Sequence, residues 1–269
     1  MFQRTLIALL LGTALFAADH SYLGFDRNEY PGDENLAALH ETFSFTGYWL
    51  NSPPRTNQNT WQGKREKLKS TGFGFLVLFN GRLYRELKSE THAKQLGLSD
   101  AQSAASAATR EGFPPQTIIF LDIEEGGRML PEQNAYIFSW MDELAKHKFR
   151  TGVYCSGMAA TAANLERIVT ANDIHQHAAG RQIAHWVTND ACPPSPGCET
   201  RTPPPPATSG IDFAEVWQFA QSPKRKDVAS GCPANYHADG NCYAPRTRVP
   251  HSLMIDLNSA SSPDPSYGR

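Results

Sequence analysis

The sequence predicts an α/β fold, a TIM-like (β/α) barrel of eight strands with helices mainly after the first five. Three observations lead there. Short, almost wholly apolar runs recur along the chain, as parallel strands buried on both faces require. Helical segments separate these runs as far as residue 169 and then give way to loops rich in proline and cysteine. The final apolar run, residues 253–258, would be a bare edge in an open sheet, whereas in a barrel it closes against the first strand.

Taken in order, residues 21–26 form a short strand ending in an acid, and Asp33 caps a helix over 34–42. Residues 45–50 give a second strand, followed by a polar loop over 51–62 that Pro53-Pro54 keeps irregular. A short basic helix over 64–70 leads to a third strand at 75–79. An alanine-rich helix over 99–110, stopped by Pro114-Pro115, can pack closely on a sheet. The fourth strand, residues 117–123, ends in Asp122-Ile123-Glu124-Glu125-Gly126-Gly127. Pro131 opens a strong helix at a position where proline is tolerated, with Ile137, Trp140, Met141 and Leu144 as its apolar stripe. A fifth strand at 151–156 and a helix over 159–169 follow. Strands six, seven and eight are read at 182–188, 213–220 and 253–258, with four prolines at 203–206 forming an extended surface segment. The domain reading is therefore a signal peptide over 1–18, a barrel over 19–258 and a flexible Ser/Pro-rich tail over 259–269.

The signal reading rests on Arg4, the apolar or small residues 6–18 and the return of polar sequence at Asp19-His20. That apolar run is short for a membrane span, so a secreted or periplasmic protein is expected. A net charge of −2 over 269 residues gives no reason to invoke nucleic acid or an anionic membrane. Cysteine usage agrees with export. Cys192 and Cys198 flank one turn-rich loop, Cys232 and Cys242 another, and each pair is expected to close locally as a disulfide. The spacing is not that of a zinc site, and Cys155, inside an apolar run, reads as a buried free thiol.

In a barrel the chemistry gathers at the C-terminal strand ends. Side chains two apart on a strand share a face, so Phe120, Asp122 and Glu124 point one way while Leu121, Ile123 and Glu125 point the other. Asp26 ends the first strand and Asp256 lies in the eighth, in the same phase. If those two strands pair, Asp26 and Asp256 are neighbours that face Asp122 and Glu124 across the mouth. Trp49, Tyr154, Trp186 and Trp217 are the aromatic candidates for the same cleft. Carboxylates among aromatic faces suit a sugar: rings stack on C–H faces, one carboxyl protonates the leaving oxygen, and another stabilises the oxocarbenium centre. His185 is balanced between packing and site, and Lys224-Arg225-Lys226 reads as a solvated loop without function.

Six motifs in register carry a family resemblance: Gly24-Phe25-Asp26, Leu121-Asp122-Ile123-Glu124, Val153-Tyr154-Cys155-Ser156, Ala184-His185-Trp186-Val187, Val216-Trp217-Gln218 and Ile255-Asp256-Leu257-Asn258. Their series resembles the family 25 glycoside hydrolases, lysozyme-type muramidases, and is most similar to the DUF1906 group of glycoside-hydrolase-like barrels. The resemblance implies Glu124 as general acid and Asp122 as its helper, steering the substrate's acetamido group as internal nucleophile. It implies that Asp26 and Asp256 line the floor and tune the pair. The sequence departs from the muramidase pattern after Trp186, where Val187-Thr188 replaces an aromatic, and after Asp26, where Arg27-Asn28 replaces small polar residues. Both departures bear on the substrate rather than the fold.

The leading functional expectation is a secreted hydrolase of glycosidic bonds in peptidoglycan or a related glycan. A carbohydrate-binding barrel without turnover is the alternative, and a metal-dependent hydrolase using several acids and His185 a more distant one. The expected partner is the glycan itself. No nucleic acid, cofactor or membrane span in the mature chain enters the reading, and a monomer is expected.

Overall fold

The computed structural model describes residues 20–162, 164–234, 236–237, 239–245 and 253–269. The signal segment therefore lies outside the described residues. Eight strands close into one barrel: β1 (Tyr22–Asp26), β2 (Phe45–Trp49), β3 (Gly74–Asn80), β4 (Ile118–Asp122), β5 (Arg150–Ser156), β8 (Ile183–Thr188), β9 (Val216–Ala220) and β10 (Asp256–Ala260). The remaining two, β6 (Ala159–Thr161) and β7 (Arg167–Val169), form a separate antiparallel hairpin. Helices α1 (Leu36–His40), α2 (Arg65–Thr71), α3 (Tyr84–Leu87), α4 (Glu90–Glu111), α5 (Pro131–Lys146) and α6 (Thr170–Gln176) cover the first part of the barrel. Among the described residues no helix is long and apolar enough to cross a membrane.

The expected barrel is present, with one reversal. Neighbouring strands are parallel from β1 round to β9, but β10 runs antiparallel to both β9 and β1. Asp256 is thus the first residue of its strand, not near the last, and it still reaches the mouth because the strand points the other way.

The interior is filled by alternating inward side chains, and two glycines make room for two phenylalanine rings. A Cβ on Gly24 would lie 2.1 Å from the Phe45 ring, and one on Gly152 would lie 2.5 Å from the Phe120 ring. Phe120 in turn meets Trp186 edge-on at 5.8 Å between ring centres. Outside the sheet, α4 begins earlier than expected, at Glu90, and presents Ala93, Ala101, Ala104, Ala105, Ala107 and Ala108 as a buried face. It ends at Gly112, which adopts φ 83, before the two prolines are reached.

Two local expectations are corrected and a third holds. Where a helix was expected over 159–169, Ala159–Thr161 pairs with Arg167–Val169 as a hairpin, and Leu165 takes φ 65 between the two strands. The disulfides cross the two loops instead of closing each one, joining Cys192 to Cys232 and Cys198 to Cys242. Cys155 is the buried free thiol.

The tail is not loose. Its backbone wedges between the lower ends of β3 and β4: Ile118 N donates to Ser266 O at 2.8 Å and Ser266 N to Phe75 O at 2.9 Å. Val77 N donates to Ser266 Oγ and Phe75 N to Asp264 Oδ1, both at 2.9 Å. Gly74 permits the approach, since a Cβ there would sit 2.0 Å from the Pro263 carbonyl. The buried Arg65 closes the plug with two donations to Gly268 O.

Candidate active site at the barrel mouth

Asp26, Asp122, Glu124 and Asp256 line one cleft of about 360 Å³, together with Asn28, Trp49, Arg55, Tyr154, Trp186 and Gln218. Asp26 and Asp256 are directly paired across β1 and β10, as the closure of the barrel requires. Gly47 on β2 leaves space for them, because a Cβ there would come within 2.7 Å of the Asp26 Cβ.

A chain of amides organises the floor. Tyr154 donates its hydroxyl to Gln218 Oε1 at 2.7 Å, and Gln218 Nε2 donates to Asp26 Oδ1 at 3.0 Å and to Asp256 Oδ2 at 3.4 Å. Asn258 Nδ2 donates to Asp26 Oδ1 at 2.7 Å, and Asn258 Oδ1 accepts the Trp186 indole N–H at 2.9 Å. Asp256 also accepts the backbone N–H of Ser222. Tyr154 therefore reaches the acids through Gln218 rather than by a direct bond. Gln218, Asn258 and Ser222 had no role in the sequence-based reading. The signal for the first two was available: Gln218 is an amide flanked by Trp217 and Phe219, and Asn258 stands two residues from Asp256 on the same strand, where alternation gives it the same face.

Burial dominates the electrostatics. It raises the Asp26 carboxyl to about 6 against the pull of Asn258 and Gln218, with Glu124 adding to the rise. Asp122 is raised well above the usual carboxylate range, by burial first and then by the charges of Glu124 and Asp26. Its side chain is 2% exposed, and neither carboxyl oxygen has a hydrogen-bond partner among the described residues. An ionised carboxylate held dry without donors is costly, so the neutral acid is favoured. Asp256 is raised by burial and by Asp26. Glu124 stands on the rim with its side chain open to solvent. Partial desolvation by the cleft walls raises it, while the Arg55 guanidinium draws it back. Among the described residues no three side chains of His, Cys, Asp or Glu converge to hold a metal ion.

The aromatic candidates divide. Trp49 and Trp186 line the cleft with Tyr154, and Trp49 is fixed by donating its indole N–H to Arg27 O at 3.2 Å. Trp217 does not line it. Gln218 takes the inward position on β9, so Trp217 faces out, buried against Phe219, and donates to Asn189 O at 2.9 Å. His185 also faces out, packed against His175 and Phe213; burial pulls its imidazole down to about 4. Glu125 turns to the helix layer as expected, accepting from Tyr84 N and Gln133 Nε2. The basic run is not a solvated loop throughout. Lys224 is buried and donates to the Asp190 carbonyl, and Arg225 reaches the cleft.

A closed barrel with acids and aromatic side chains gathered at its mouth defines a glycoside-hydrolase-like class of protein. The chain belongs to the Rv2525c-like, glycoside hydrolase-like domain family, whose model matches residues 44–195. That span includes Asp122 and Glu124 but not Asp26 or Asp256. Among solved structures, an uncharacterized B. stearothermophilus protein is 18% identical, with TM-score 0.54, over 89% of this chain and 95% of its own. The Mycobacterium tuberculosis Tat-secreted protein Rv2525c, in complex with L-tartrate, is 15% identical, with TM-score 0.53, over 93% of this chain and 100% of its own. The bacterial lysozyme from Streptomyces coelicolor is 13% identical, with TM-score 0.49, over 90% of this chain and 92% of its own. No curated protein matches the chain.

Proposed function

We propose that the protein is an exported glycoside hydrolase that cleaves glycosidic bonds in peptidoglycan or a related glycan. Glu124 is the general acid and Asp122 assists it. The observation that carries this reading is the delivery of Asp122 and Glu124 from the end of one strand into a cleft floored by Asp26 and Asp256 and walled by Trp49, Tyr154 and Trp186. Family membership supports the reaction class. Two disulfides, together with the signal-like first residues, support export.

In this mechanism Glu124, its carboxyl raised by partial desolvation, holds a proton and gives it to the leaving glycosidic oxygen. Asp122 has acceptor oxygens with no donor in the described protein. An acetamido N–H on the substrate supplies that donor, Asp122 releases its own proton to solvent as the amide arrives, and the acetamido carbonyl oxygen is thereby steered towards the anomeric carbon. As the carbonyl oxygen bonds to the anomeric carbon and the leaving oxygen departs with the Glu124 proton, positive charge spreads onto the acetamido group, and the Asp122 carboxylate hydrogen-bonded to its N–H stabilises the transition state more than the ground state. Asp26, held by Gln218 and Asn258, and Asp256, held by Ser222, fix the charge balance of the floor.

The test is release of reducing ends from a panel of cell-wall and polysaccharide substrates. Glu124→Gln is expected to lower the rate by about 10²–10⁴-fold. A wild type as inert as the variant across the panel would overturn the reading.

A further inference from the structure

Three cavities meet at Glu124. The central one holds the four acids. A second, of about 700 Å³, opens past Pro54 towards Asn80, Arg82 and Glu86. A third, of about 510 Å³, opens towards the β6–β7 hairpin between Ser156, Met158, Thr188 and Gln221. Glu124 and Arg55 line all three, and Arg225 lines the central and hairpin-side cavities. The mouth is therefore one trough with Glu124 at its middle and a guanidinium from each of two loops beside it.

The two arginines are presented, not absorbed. Arg55 is held at φ 63 in the loop after β2. Thr56 fastens that loop to Pro53 O, and Asn28 Nδ2 fastens it to Pro54 O at 3.1 Å. A left-handed conformation is unfavourable for a residue with a side chain. Yet the Arg55 guanidinium makes no hydrogen bond within 3.5 Å and no ion pair within 4.0 Å among the described residues. Arg225 comes from the loop after β9 and touches Asp190 Oδ1 at 3.2 Å and Met158 Sδ at 3.0 Å, with about half its side chain exposed. Asp190 already has the buried Lys224 ammonium beside it, so its charge is shared between two cations. Below them, burial favours the neutral forms of Asp26, Asp122 and Asp256, so the floor repels an anion less than four carboxyls suggest. Asp227 lines the hairpin-side cavity and disfavours an anion placed beyond the arginines.

We propose that the trough recognises a sugar ring bearing a free carboxylate, gripped by Arg55 and Arg225 next to the bond that Glu124 protonates. Guanidinium and carboxylate match in geometry and form charge-assisted, often bidentate, hydrogen bonds. This deepens the glycan reading above and rests on it. The carboxylate has two chemical sources: C6 of a uronic acid, or a lactyl ether on an N-acetylated sugar stripped of its peptide.

The experiment separates these sources by calorimetry on the Glu124→Gln protein, in which turnover is slowed enough to titrate binding. Oligouronates and peptide-free lactyl-ether glycan strands are each titrated beside their carboxyl-reduced, neutral counterparts. One carboxylated series is expected to bind at least tenfold more tightly than its reduced form, and the series that does so identifies the source. Adding Arg55→Gln or Arg225→Gln is expected to remove that preference, with Lys at either position restoring part of it. Both side chains are exposed, so melting temperatures should stay unchanged and report intact folding. Equal binding of carboxylated and reduced forms overturns the carboxylate proposal while leaving the glycan reading in place. A preference that survives in both arginine variants overturns the role of the arginines. Absence of binding by every form overturns the proposal, and the reducing-end assay on the wild type then decides the glycan reading separately.

Discussion

The two ends of the barrel treat buried polar groups in opposite ways. At the bottom, Ser266, Asp264 and the Gly268 carbonyl are matched with Val77 N, Phe75 N and the Arg65 guanidinium. At the mouth, Asp122 is equally dry, yet both its oxygens lack a partner among the described residues. The same strands supply both ends, so sequence alone decides which is locked and which is left reactive. The bottom commits its polar groups to stability; the mouth ties Asp26 and Asp256 into amide hydrogen bonds but leaves Asp122 for a ligand.

That contrast can be broken from either side. The largest effect is expected from Glu124→Gln, which should remove activity by the factor given above while leaving the melting temperature near that of the wild type. Next, Arg65→Ala should remove about 3 kcal/mol of stability, because it deletes a buried cation and strands the Gly268 carbonyl. Its kcat/KM should not change, and urea titration beside an activity assay checks both halves. A variant that loses stability and activity together would show that the two ends are coupled.

A third test uses pH. The folded Asp26 carboxyl sits at about 6, above its ordinary 3.8, so between those values the folded state holds a proton that the unfolded state has released. Stability should therefore fall as pH rises through that window, by on the order of 3 kcal/mol for this one group. Asp122 and Asp256, displaced in the same direction, should extend the decline to higher pH. Asp26→Asn should flatten the slope between pH 3.8 and 6, measured as the denaturation midpoint against pH. The smallest effect sharpens the comparison most. Asp122→Asn should raise stability at neutral pH by about 1–2 kcal/mol while lowering activity, because it replaces an unpaired buried acid by a neutral amide. A destabilised Asp122→Asn would mean that this acid is a structural residue, like those at the bottom.

How far the sequence disclosed this arrangement varies with the kind of interaction. The strands were legible because burial on both faces writes itself as an apolar run, as at residues 117–123, and the acids were legible because they interrupt such runs. Trp217 was misplaced although alternation held the correction: with Gln218 inside, Trp217 has to face out. The hairpin at β6 and β7 was hidden by residues with good helix propensity, overridden by pairing across Leu165. The direction of β10 was hidden too, since a strand has the same residue alternation whichever way it runs. The tail resembled a loose end because its contacts with β3 and β4 all use backbone groups of those strands, met by backbone or short polar side chains of the tail, and such bonds leave no mark on composition.

The crossed disulfides carry a consequence for assembly. Cys192 and Cys198 lie close in sequence, whereas the native partners are separated by 40 and 44 residues. In a flexible chain, closing a loop of that length is less favourable than closing the short one by about 1.6 kcal/mol. Loop closure taken alone thus favours a wrong bond, and any such bond has to be undone by thiol–disulfide exchange before the right ones can form. Only when β9 is seated beside β8 are Cys192 and Cys232 brought together. Correct pairing therefore depends on the same β8–β9 contact that closes this side of the barrel wall.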